Sequence, residues 1–227
     1  ESGHDCRQDR PYSIGLPFPT LFMIKPNHAV RGFIFDMDGT LIDSKLDFDA
    51  IRQDIGLAKG LPILESLESM ESNRRIECEN ILLRHEQQGV RDATVFPNVA
   101  ESLLSIERLQ LPMAIVTRNR ADFAAEMLVL LPVTFDIIIG RDDGPIKPDP
   151  WAPLHICQQW GIEPSESVMI GDFVFDIQSG NAAGCFTVLY TQGRDHSEIR
   201  GTEEADWIMD DFTQLHMQLD DWARQAD

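Results

Sequence analysis

Carboxylates, a hydroxyl and a cation recur at or just beyond the ends of apolar runs in this chain. Asp36 and Asp38 close the run Phe33-Ile34-Phe35 and lead into Gly39-Thr40-Leu41. Thr117 closes Met113-Ala114-Ile115-Val116 and is followed by Arg118-Asn119. Lys147 sits in a loop between Pro145 and Pro150. Asp172 and Asp176 follow Ser167–Ile170 in the run Gly171-Asp172-Phe173-Val174-Phe175-Asp176. Carboxylates carry protons and hold hard metal ions. Hydroxyl and ammonium groups donate to anions. Taken singly, each residue has an ordinary reading: a solvated turn, a structural strand-end threonine, a surface lysine. Their chemistry depends on whether the fold gathers them.

The elements that would do so are legible. Val30 and Phe33–Phe35 are β-branched or aromatic with no polar alternation, as in a strand buried on both faces. Gly39 and Thr40 suit the turn that follows. Further apolar runs predict strands at 112–117, 135–140, 167–170 and 185–190, with a short one near 207–209. Helical spacing falls at 97–109, 121–131, from Pro150 through Trp160, at 173–183, and from about Phe212. Alternating strands and helices imply right-handed crossovers, hence an α/β fold with a doubly wound, Rossmann-like parallel sheet. Strand ends in such a sheet share one rim, where ligands bind. Asp36, Asp38, Thr117 and Asp172 would meet there, and Lys147 could reach it from its loop. Asp176 is one helical turn from Asp172 and shares the rim if the helix begins at that point. Read alone, it is an acid favoured by the helix dipole.

Residues 45–94 differ. Helices are expected near 48–55, 63–70 and 72–88, the last with Ile76, Ile81, Leu82 and His85 at helical spacing. Gly56, Gly60-Leu61-Pro62 and Gly89 punctuate them, and no strand signal appears. The expected organisation is an N-terminal arm at 1–28, an α/β core at 29–44 and 95–227, and a small helical insertion at 45–94. Prolines 11, 17, 19 and 26 break the arm, whose Phe18, Leu21 and Phe22 could pack on the body.

With the residues in order, the chain resembles the haloacid dehalogenase-like superfamily, in its phosphoglycolate phosphatase-like branch. Asp36-Met37-Asp38-Gly39-Thr40 resembles the first motif of that family, Thr117 the second, Lys147 in Lys-Pro-Asp-Pro the third, and Gly171-Asp172 through Asp176 the fourth. The likeness covers roughly residues 30–191. It implies a phosphatase that forms an aspartyl-phosphate on Asp36. It makes Asp38 the general acid and base. Thr117 and Lys147 would hold the phosphate, Lys147 as a fixed positive charge. Magnesium (Mg2+) would sit on Asp36, the Asp38 carbonyl and Asp172, with Asp176 a further ligand or a neighbour. Arg118 and Asn119 stand where phosphate- or substrate-contacting groups are often found. Arg141-Asp142-Asp143 reads as a salt-bridged turn, from which Arg141 could face the substrate. The insertion corresponds to a helical cap that closes over the site. Its Arg52, Lys59, Arg74, Arg75 and Arg84 read as a solvated face, and Gly56–Pro62 could dip into the site.

The substrate is expected to be a small phosphate ester. Phosphoglycolate, a sugar phosphate and a nucleotide monophosphate all stay open. Asp38 argues against dehalogenation, which needs no proton on its leaving halide. A phosphonatase would need a cap lysine, and neither Lys45 nor Lys59 has a diagnostic context. A phosphomutase shares the same core residues, and a non-catalytic phosphate-responsive module is the remaining class. The net charge of -19 argues against nucleic acid as a partner. The same charge requires a metal ion and placed cations at any phosphate site. The four scattered cysteines make no zinc or disulfide framework and suit a reducing, cytoplasmic setting. No apolar run approaches the roughly 20 residues of a membrane span. Oligomeric state is not legible.

Overall fold

The structure, a computed structural model, describes residues 26–223. The arm expected at 1–28 falls almost wholly outside the described residues.

Among the described residues, eight strands and eight α-helices follow in chain order: β1 (Gly32–Phe35), β2 (Ile42–Asp43), α1 (Phe48–Ile55), α2 (Ile63–Glu68), α3 (Ser72–Asp92), β3 (Thr94–Val95), α4 (Val99–Arg108), β4 (Met113–Val116), α5 (Ala121–Leu128), β5 (Ile137–Ile139), α6 (Trp151–Trp160), β6 (Ser167–Gly171), α7 (Val174–Ala183), β7 (Phe186–Tyr190), β8 (Trp207–Met209) and α8 (Phe212–Ala223). Six strands form one sheet in the order β5-β4-β1-β6-β7-β8. Every pairing in it is parallel. The chain builds outward from β1 on one side, then returns to its other side. β1 is therefore the switch point, and β4 and β6 flank it.

The period of two along a strand assigns the two faces. Phe33 and Phe35, Met113 and Ile115, Val168 and Ile170 point to one side, against α4, α5 and α8. Ile34, Ala114, Val116 and Met169 point to the other, against α6 and the end of α7. Both faces are covered, which is why these strands read as unbroken apolar runs.

The insertion has its own apolar cluster, Ile51, Ile55, Ile63, Leu67, Cys78 and Leu82, drawn from α1, α2 and α3. It connects to the sheet domain through two short antiparallel strands, β2 and β3. No strand is expected here from periodicity, because two-residue strands leave none to read. The buried stripe of α3 is Cys78, Leu82, Glu86 and Gly89, whereas Ile76 is 57% exposed. Gly89 does not end the helix. A Cβ there would lie 2.9 Å from the Ser44 carbonyl and 3.2 Å from Leu46 Cδ2. The glycine lets α3 approach the segment that leaves the first turn. The loop at Gly56–Pro62 is tied to α1, where Arg52 Nε donates to the Leu61 carbonyl at 2.8 Å.

Candidate active site

The rim of the sheet is built first by hydrogen bonds that end the strands. The Asp36 N–H donates to the Ile170 carbonyl at 2.8 Å, and the Thr117 N–H donates to the Ile139 carbonyl at 2.9 Å. Asp36, Thr117 and Asp172 each follow the last residue of a parallel strand, so their side chains emerge at one edge.

After Asp36 the chain turns sharply. The N–H groups of Thr40, Leu41 and Ile42 all converge on the Met37 carbonyl. Gly39 has φ of +88°, and a Cβ there would lie 2.6 Å from an Asp172 carboxylate oxygen. Glycine is required twice, for the left-handed backbone and for the close approach. Gln192 Nε2 donates to the Gly39 carbonyl at 2.6 Å and ties the turn to the loop after β7.

Lys147 is the hub. Its ammonium donates to Asp36 Oδ1 at 2.5 Å and to the Val116 carbonyl at 2.7 Å. It lies 2.7 Å from Asp176 Oδ1. Three acceptors thus meet the three donors of an ammonium group. Burial alone would lower its pKa. The carboxylates of Asp176 and Asp36 override that and push it up to about 12.

Asp36 carries the opposing strain. Burial holds its carboxyl well above the usual value, Lys147 pulls it down, and Asp176 and Asp172 push it up again. Thr40 Oγ1 donates to its Oδ2 at 3.2 Å. Burial, then the neighbouring Asp176, raise Asp172 to about 7, although Arg194 Nη2 lies 3.6 Å from its Oδ2. One carboxylate oxygen from each of Asp36, Asp172 and Asp176 lies within 4.8 Å of the others. Such oxygen-only crowding suits a small divalent cation. Asp176 is the most committed of the three, because its Oδ2 also accepts the Phe173 N–H at 3.0 Å. Gly171 makes room for it: a Cβ there would fall 2.2 Å from Asp176 Cγ.

Asp38 faces the β4 side. Its Oδ2 accepts from Thr117 Oγ1 and Asn119 Nδ2, each at 3.3 Å. Its Oδ1 is buried, and the Ser44 hydroxyl lies beside the carboxyl and favours its charged form. Burial raises its pKa. Asn119 also bonds locally, its N–H donating to Thr117 Oγ1 at 3.0 Å.

The structure gathers Asp36, Asp38, Thr117, Asn119, Lys147, Asp172 and Asp176. Arg118 points instead to the helical insertion: its Nη2 donates to both carboxylate oxygens of Glu65 on α2, at 2.8 and 2.9 Å. Arg141 does not bridge to its own turn. It forms a two-pronged pair with Glu86 on α3. Sequence reasoning missed both glutamates, as well as Gln192, Arg194 and Thr40. Glu86 left a signal, being the one acid on the stripe Cys78, Leu82, Glu86, Gly89. Glu65 left none. Arg52, Lys59, Arg74 and Arg75 pair with acids of the insertion itself, as a solvated face would.

The family model for haloacid dehalogenase-like hydrolases matches residues 33–190. A haloacid dehalogenase-like hydrolase domain-containing protein of Arabidopsis thaliana is 30% identical over 84% of this chain and 84% of its own. A phosphoglycolate phosphatase of Pseudomonas syringae is 31% identical over 80% of this chain and 77% of its own. A hydrolase of known structure from Pseudomonas syringae superposes with a TM-score of 0.70 at 22% identity, over 84% of this chain and 98% of that one. The chain belongs to the haloacid dehalogenase-like hydrolase family. Within it the relatives set the chain in the phosphoglycolate phosphatase-like branch, and its enzyme type is that of a phosphatase. Among the described residues no helix is long and apolar enough to cross a membrane.

Proposed function

We propose that this chain is a magnesium-dependent phosphomonoester hydrolase that acts on a small phosphorylated metabolite through an aspartyl-phosphate. One observation carries the reading: Asp36, held by Lys147 and Thr40, shares the rim with Asp38, an acid whose pKa burial raises and whose Oδ2 is held by Thr117 and Asn119.

Asp36 is the nucleophile, and Lys147 and Thr40 fix its carboxylate. Asp38 gives a proton to the leaving oxygen, then takes one from the water that cleaves the acyl phosphate. Thr117 and Asn119 orient Asp38 through its Oδ2, which leaves Oδ1 for the substrate. In this reading the second N–H of the Asn119 amide donates to the phosphoryl group, and the single Thr117 hydroxyl proton turns from Asp38 to that group when it binds. The carboxylate oxygens of Asp36 and Asp172 fit a magnesium ion, with the Asp38 carbonyl a third donor. That ion supplies charge neutralisation at the phosphoryl oxygens. Asp176 borders the same space, and its contact with Lys147 makes it the residue that aims the lysine. Residues 45–94 act as a cap, with β2 and β3 as its stem.

The test is phosphate release from a panel of phosphomonoesters, with and without magnesium, using Asp36→Asn as control. Turnover that needs the metal and vanishes in the variant is expected. Equal turnover by Asp36→Asn would overturn the nucleophile assignment.

A further inference from the structure

Two cysteines distant in sequence meet at the edge of the sheet opposite the rim. Cys157 lies in the second half of α6, and Cys185 directly precedes β7. Between them stands Ser167, the first residue of β6. The register of β6 on β7 pairs Val168 with Phe186, which sets Ser167 beside Cys185. Ser167 Oγ lies 3.1 Å from Cys185 Sγ and 3.4 Å from Cys157 Sγ. Its one proton goes to the Pro164 carbonyl at 2.7 Å, so both thiols can donate to the serine oxygen.

The thiols also share a hydrogen bond with each other. That bond pulls the Cys157 thiol down to about 7, against burial. The same contact, with burial, pushes the Cys185 thiol up. Either thiol alone would be an inert packing group among Ala152, Ile156 and Met169. A thiolate beside a thiol is instead the state from which a disulfide forms. Cys78 is the contrast, a thiol in the apolar cluster of the insertion that faces the Ile55 carbonyl. Cys157 and Cys185 are 1% and 6% exposed, so an oxidant that reaches them is small and uncharged.

We propose that Cys157 and Cys185 are an oxidisable dithiol which hydrogen peroxide closes to a disulfide, a covalent staple between α6 and the start of β7. The Cys157 sulfur attacks one peroxide oxygen. The O–O bond breaks, the other oxygen leaves as water with the thiol proton, and Cys157 becomes a sulfenic acid. The Cys185 sulfur then attacks the Cys157 sulfur. The S–S bond forms, the S–O bond breaks, and the oxygen leaves as water with the Cys185 proton. The two sulfurs together lose two electrons, and the peroxide is reduced to two waters. α6 begins just after the loop of Lys147, and α7, which ends just before Gly184 and Cys185, carries Asp176 in its first turn. The staple therefore ties together the tails of the two helices whose heads stand beside Lys147 and Asp176. The proposal is independent of the phosphatase reading.

The test treats the reduced full chain with hydrogen peroxide, alkylates the remaining thiols with N-ethylmaleimide after unfolding, and maps the peptides by mass. A peptide pair joined through Cys157 and Cys185, short of two hydrogens and separated again by dithiothreitol, is expected, with Cys78 still alkylated. Closing the loop 157–185 in the unfolded chain should raise Tm by about 5 °C or more over the reduced protein. Cys185→Ala should slow the reaction of Cys157 severalfold and stop it at a sulfenic acid that dimedone traps. Cys157→Ala should leave Cys185 reduced. Full alkylation of both cysteines in the treated protein would overturn the proposal. So would a Cys157 sulfinic acid beside a free Cys185, or a joined form that melts no higher than the reduced one.

Discussion

A single methyl group at Gly171 should disable the site through Asp176, without replacing any group assigned a chemical role. Gly171 ends β6, where its backbone pairs with Leu189. Its φ lies outside the left-handed region, so Gly171→Ala adds no backbone strain of its own. The new Cβ would fall 2.2 Å from Asp176 Cγ and 2.3 Å from its Cβ and Oδ2. Atoms in van der Waals contact sit near 3.5–4.0 Å, so an overlap of about 1.5 Å must be relieved. Asp176 cannot yield freely, because Oδ1 pairs with Lys147 and Oδ2 accepts the Phe173 N–H. Relief therefore runs through Lys147 to Asp36. Overpacking of this size costs about 1–3 kcal/mol, a fall in Tm of roughly 2–12 °C for a chain of this length. A displacement near 1 Å at the reacting group costs about a hundredfold in rate. Thermal melting and kcat/KM on one phosphomonoester check both, with Gly161→Ala as control. At Gly161 a Cβ meets nothing within 4 Å, so only the strain of its φ of +66° is added. Wild-type kcat in Gly171→Ala, with the melting change no larger than in the control, would refute the chain of contacts from Gly171 to Asp36.

Removing Lys147 by substitution to Met should abolish more than about a hundredfold of kcat, and the loss should persist at saturating magnesium. Full activity in that variant would refute the hub assignment. Asp38, raised by burial, must hold its proton to serve as acid. Its protonated form persists to higher pH than that of an ordinary aspartate, so kcat/KM should fall as pH rises through that raised value. A pH–rate profile with no alkaline decline would contradict this. Arg141→Ala leaves Glu86 charged, buried and unpaired, which should destabilise by about 3–5 kcal/mol in chemical denaturation. Adding Glu86→Leu to it should restore most of the loss. Glu86 is itself raised by burial despite Arg141, so its folded pKa exceeds its unfolded one. Its stabilising contribution is then complete below the unfolded value and lost as pH rises through the folded one. Melting of Glu86→Gln against the unaltered protein should therefore shift in favour of the variant as pH rises from 4 to 8.

The sheet was legible because its strands are buried on both faces. Phe33–Phe35, Met113–Val116 and Ser167–Ile170 carry no alternation that a competing reading could use, and each ends on a chemical group. The rim residues followed from topology alone. What stayed illegible was whatever depends on one element meeting another distant in sequence. Gln192 reaches Gly39 across 153 positions, and Arg118 meets Glu65 across 53. Neither partner has a pattern of its own. β2 and β3 are too short to show a period, and they exist because the insertion needs a stem. Gly89 looked like a helix end because glycine usually marks one. Here close approach of α3 to the Ser44 carbonyl outweighs its poor helix propensity. Ile76 misled for the opposite reason: it has helical spacing but lies outside the stripe that α1 and α2 cover.

The charge of the chain sharpens the meaning of the rim. A net charge of -19 repels any phosphate at long range. Lys147 does not reverse this by itself, because Asp36 and Asp176 already claim it. With Asp172 counted, the lysine faces three carboxylates, and the excess is visible in the raised values of Asp36 and Asp172. Such a cluster is stable only while a proton or a cation offsets it. Arg194 stands 3.6 Å from Asp172 and half exposed, which makes it a partial counter-ion. Magnesium affinity and phosphate affinity should therefore be linked, each ligand raising the affinity for the other by the same factor. Calorimetric titration of inorganic phosphate into the full chain, with and without magnesium, measures that factor. Equal phosphate affinity in the two titrations would mean that the carboxylate cluster does not govern anion binding.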